Sequence, residues 1–109
     1  MDQKVKSKLA TPWGFEGVVI STDLYAAKII VVNNGEQTPY VYHKNQDKSI
    51  YILQGVANLR VEGTNKILNE GDRYHIRPKI MHRVHAIKGD VTILEVGTKI
   101  EEDVVEVEE

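Results

Sequence analysis

The chain has 109 residues, a formal charge of −2 and no cysteine, with 41% hydrophobic and 28% charged residues. That length suits one domain with a modest core, to which dimerisation would add. The absence of cysteine excludes a disulfide scaffold, a thiolate metal site and a cysteine nucleophile. The near-neutral charge argues against a nucleic-acid binder held by phosphate contacts. No apolar run approaches the ~20 residues of a membrane-spanning helix. The first residues lack the apolar core of a signal peptide, so a cytoplasmic protein is expected.

Valine and isoleucine number 25 against 11 alanines and leucines, which favours strands. Residues 1–12 read as a loose, lysine-rich arm and residues 13–100 as a barrel domain. Within that domain, Trp13 to Ile20 and Leu24 to Val32 read as strands, the second closed by Asn33-Asn34-Gly35. Short strands follow at Tyr40 to His43, Ser49 to Leu53, Val56 to Val61, Lys66 to Asn69 and Arg73 to Arg77, with Pro78 ending the pairing. His82 to Ile87 and Val91 to Val96 read as a hairpin turned by Lys88-Gly89-Asp90. Residues 101–109 carry six acids and no base, and read as a solvated tail in which Val104 to Val107 could form an edge strand. The expectation is an all-β sandwich or barrel of about nine strands with no helix.

Two spacings carry a family resemblance. Gly35, His43, Lys48 and Gly55 fall on the first motif of the cupin superfamily, and Gly71, Arg77, Lys79, His82 and Ala86 fall on the second without a gap. Thr11-Pro12-Trp13-Gly14, Tyr25, Lys28, YHKNQDKSIYILQG, MHRVHA and ILEVGTKIEEDVVEVEE further resemble the cupin domain of type II mannose-6-phosphate isomerases. The resemblance implies a small double-stranded β-helix, a jelly-roll β-sandwich barrel, usually a homodimer, with a site in its mouth. There imidazoles and a carboxylate would hold a divalent metal, zinc, manganese, iron or nickel. The implied activity is sugar-phosphate isomerisation; the alternative is a non-catalytic or accessory binding cupin.

The chain departs from that pattern. His43 and His82 match motif histidines. In one alignment Asn45 stands where a second histidine belongs; in the other His43 is that second histidine and Val41 replaces the first. In both, Lys48 occupies the glutamate position. The metal set is therefore His43, Asn45 and His82, weakened by an ammonium that repels cations. Lys28, Lys48 and Arg83 are the candidate ligands for a small anionic molecule such as a sugar phosphate, and Lys48 is the candidate proton carrier. His75 and His85 read as surface residues, Glu95 as structural with a charge that needs a partner if buried, and Trp13 and Phe15 as core or dimer contacts.

Overall fold

A computed structural model describes residues 7–109, with side-chain environments from Leu9 onward. Among these residues there are nine strands and no helix. They are β1 (Ser7–Thr11), β2 (Gly14–Ser21), β3 (Tyr25–Val32), β4 (Val41–His43), β5 (Lys48–Val61), β6 (Thr64–Leu68), β7 (Arg73–Ile76), β8 (His82–Thr98) and β9 (Val104–Glu106).

The count of nine matches the expectation, but its membership does not. Ser49 to Leu53 and Val56 to Val61 belong to one strand, β5. The expected hairpin at Lys88-Gly89-Asp90 is the middle of another, β8. Part of the segment read as a loose arm is β1, which pairs with β2 from Ser7↔Val18 to Thr11↔Gly14. In the acidic segment, β9 pairs with β4.

The long strands β5 and β8 pair with each other antiparallel along their whole length and bend together at a corner. Their first and second halves therefore serve two facing leaves. In one leaf β1, β2 and β3 continue onto residues 91–98 of β8, then onto the start of β5 and β7. In the other, β6 pairs with the end of β5, which meets the start of β8, followed by β4 and β9.

The corner also changes the alternation of side chains. In β5 the buried positions are Lys48, Ile50 and Ile52 before the bend and Ala57, Leu59 and Val61 after it. In β8 they are His82, Val84 and Ala86, then Val91, Ile93 and Glu95. Each strand gains one residue at the bend, where the register shifts, so both halves aim at the same interior. Gly55 permits the turn: its φ is 94°, and a Cβ there would lie 2.3 Å from the Asp90 carbonyl oxygen.

Val32, Ile52, Leu59, Ile76, Val91 and Ile93 fill the space between the leaves. Trp13, expected at the core or a dimer face, packs against this cluster from one side. No helix among the described residues is long and apolar enough to cross a membrane.

Candidate functional site

The two leaves enclose a cavity of about 720 Å³. Ile30, Ile50, Ile76, Ile93 and Trp13 give it apolar walls, and a polar row crosses it. The row follows from register. Lys28 on β3 and Ile50 on β5 flank Glu95 on β8, and Lys48 lies two residues before Ile50 on the same inward face. Glu16 on β2 completes it with a bond of 3.2 Å from Lys28 Nζ.

Charges alternate along this row. Lys48 Nζ donates to Glu95 Oε1 at 3.0 Å, both side chains being buried. It also lies 3.4 Å from His43 Nε2, and His43 Nδ1 bonds Asp103 Oδ1 at 2.9 Å. The row thus runs from Glu16 and Lys28 to Glu95, Lys48, His43 and Asp103, with Lys28 acting on Glu95 through its charge and the other neighbours in direct contact.

The electrostatic consequences are specific. Burial raises the Glu95 pKa, but the charges of Lys48 and Lys28 outweigh it and hold the carboxyl below its ordinary range. Burial likewise opposes ionisation of Asp103. Bonds from His43 and from the backbone amides of Asn45 and Gln46 reverse this and bring it to about 2. Burial, then the positive charge of Lys48, pushes His82 down to about 4. His82 is therefore a neutral imidazole near neutrality. Its Nδ1 faces the Ile80 carbonyl at 2.9 Å and carries the proton, which leaves Nε2 as the acceptor.

His43, His82, Lys28 and Lys48 all line this one cavity, as does Arg83. The guanidinium of Arg83 is nevertheless engaged elsewhere, over the Tyr40 ring at 5.6 Å and in an ion pair with Glu109. Asn45 does not line the cavity. Strand β4 ends at His43, so the alternation that would carry Asn45 inward stops, and its side chain is exposed. Trp13 does line it, because the turn before β2 breaks the alternation that would have placed it beside Phe15. His75 is exposed and bonds Asp47 at 2.7 Å. His85 lies on the outer face of β8, away from His82. Asp103 went unread in the sequence. It is 60 residues from His43 and sits inside a run of acids. The need of a half-buried imidazole for an Nδ1 partner is the one signal that points to it.

A divalent metal does not fit this donor set. His43 and His82 do have the outer bonds that metal-binding imidazoles use, one to a carboxylate and one to a carbonyl. Lys48 Nζ, however, contacts both His43 Nε2 and Glu95 Oε1, the imidazole and carboxylate atoms that a cation would need. Among the described residues no group of three His, Cys, Asp or Glu side chains is arranged to hold a metal ion.

A two-leaved jelly roll with an inward-facing histidine pair in its mouth defines a cupin-type barrel. Residues 28–97 match the family model for the cupin domain, and the chain belongs to that family. No curated protein sequence matches it. Among solved structures it is similar to KdgF from Halomonas sp., at 19% identity and a TM-score of 0.81 over 89% of each chain. It is also similar to the polyketide cyclase RemF from Streptomyces resistomycificus, at 17% identity and a TM-score of 0.80 over 97% of this chain and 79% of that one. A sugar phosphate isomerase of the cupin superfamily from Silicibacter pomeroyi aligns at 16% identity and a TM-score of 0.71, over 79% of this chain and 58% of that one. At these identities the likeness establishes the fold.

Proposed function

We propose that the protein is a binding cupin that takes a small anionic molecule of the sugar-phosphate class into its barrel without a bound metal. The observation that carries this reading is the buried Lys48 ammonium bonded between His43 and Glu95, a fixed positive charge in the place a cupin gives to a metal. Lys28 is the cation that receives the phosphate. Its partner Glu16 is partly exposed, so the pair can be exchanged for a phosphate at less cost than the buried pair beneath it. The apolar walls take the carbon skeleton. The resemblance to the type II mannose-6-phosphate isomerase domain and the structural likeness to a sugar phosphate isomerase support this ligand class.

Turnover is the second reading, and Lys48 would be its proton-carrying group. Binding is favoured over it because the Lys48 ammonium is held against Glu95 Oε1 and His43 Nε2, with no free lone pair to take a proton from carbon.

Trp13 is the one tryptophan of the chain and lines the cavity, so its fluorescence reports occupancy. Titration at constant ionic strength should show mannose 6-phosphate or fructose 6-phosphate binding more tightly than mannose or fructose. Lys28→Met should lose most of that preference. Equal responses to phosphorylated and neutral sugars, or a preference kept by Lys28→Met, would overturn the binding reading. Interconversion of the two phosphates in the same samples, followed by NMR, would decide for turnover.

A further inference from the structure

The outer face of the second leaf holds a pocket of about 420 Å³ that the barrel cavity does not account for. Its floor is set by register: Arg60 on β5 lies directly opposite Arg83 on β8, and Asn58 lies opposite His85. Asn65 on β6 lies opposite Arg60 from the other side. Like charges directly opposite one another destabilise a sheet unless an anion lies between them. Here one does. The Glu109 carboxylate bonds Arg60 Nε through one oxygen and Arg83 Nη2 through the other. Both guanidiniums are held in place independently of it. Arg60 Nη1 donates to Asn65 Oδ1 at 3.2 Å, and Arg83 lies over the Tyr40 ring.

We propose that this pocket, which adjoins the barrel cavity at Arg83 and Gln37 but opens on the outer face of the leaf, is an oxyanion site which takes a phosphate group and which Glu109 occupies as an internal competitor. Two facing guanidiniums offer more charge and more N–H donors than one carboxylate can use, and a phosphate dianion with its additional oxygen matches them better. The Asn58, Asn65, Gln37 and His85 side chains around the pair supply further polar contacts, and the volume exceeds what a carboxylate fills. Glu109 reaches the site because β9 and the Val107 amide, which donates to the Tyr40 carbonyl at 2.8 Å, lay the chain along β4. Binding of phosphate and docking of Glu109 therefore exclude each other.

The test is titration of inorganic phosphate into the full chain, with sodium chloride holding ionic strength constant, followed by NMR of the arginine Nε–H signals. Arg60 and Arg83 should shift together. Glu109→Gln should strengthen binding several-fold, since a competitor lowers apparent affinity by the fraction of time it holds the site. Arg60→Gln should abolish the shift at Arg83. Trp13 fluorescence monitors the barrel cavity in the same samples, so failure of either site is seen separately. Arginine signals that do not move in Glu109→Gln, or an affinity that Glu109→Gln leaves unchanged, would overturn the proposal.

Discussion

Lys48 changes what a substitution at the barrel floor can mean. Its ammonium and the Glu95 carboxylate are both buried and bonded at 3.0 Å, so each is the other's solvation. Lys48→Met strands Glu95 in a low-dielectric site, and breaking a buried pair in this way costs about 3–5 kcal/mol. Lys48→Met with Glu95→Gln removes both charges and should recover most of that loss in urea unfolding. Equal destabilisation of the single and double variants would show that the pair does not act as a unit. Acid stability follows from His82, beside the pair, and from Asp103, on the far side of His43. His82 has a folded pKa of about 4 against 6.5, so between those values the unfolded chain binds more protons. Stability present above pH 6.5 is therefore lost as pH falls toward 4, by about 3 kcal/mol for a 2.5-unit difference. Asp103, with a folded pKa of about 2 against 3.8, extends the loss from pH 3.8 downward. Chemical denaturation from pH 7 to pH 3 should show the first decline, and His82→Gln should flatten it. A wild-type profile without a decline between 6.5 and 4 would contradict the assignment. Much of this site was legible in the residues: His43, His82, Lys28 and Lys48 converge, and Glu95 has the partner its burial demands. Asn45 and Asp103 were not legible, because one depends on where β4 stops and the other on a contact across 60 residues.

Strands β5 and β8 show why elements were harder to read than class. Each half reads as a strand in the sequence, but the single extra residue at the corner reverses the phase of alternation between them. A strand that changes phase looks like two strands with a turn between them. Lys88-Gly89-Asp90 has the composition of a hairpin turn, yet here it crosses the corner inside β8 while its neighbours pair with β5 and β3. The same corner separates two glycines of similar conformation. Gly55 and Gly63 have φ of 94° and 81°, so alanine at either costs about 1–2 kcal/mol for the left-handed backbone. At Gly63 a Cβ meets open space, whereas at Gly55 it meets the Asp90 carbonyl. Thermal denaturation should show Gly55→Ala losing clearly more stability than Gly63→Ala. Equal losses would mean that the corner yields to a methyl group.

At the scale of the whole molecule, the sharing of β5 and β8 between both leaves ties every part of the barrel to one late event. Strand β5 pairs with residues 82–97 of β8, and β3 pairs with residues 91–98. A chain growing from a ribosome has its first sixty residues in hand long before either partner exists. Nearly half of the final ladder must wait for β8, and loop closure over such separations is slow compared with local hairpin formation. Until then the valine- and isoleucine-rich strands β3 and β5 stay open at the edges that β8 will cover. The interval between their synthesis and the arrival of β8 is when this chain is most exposed to strand-to-strand aggregation.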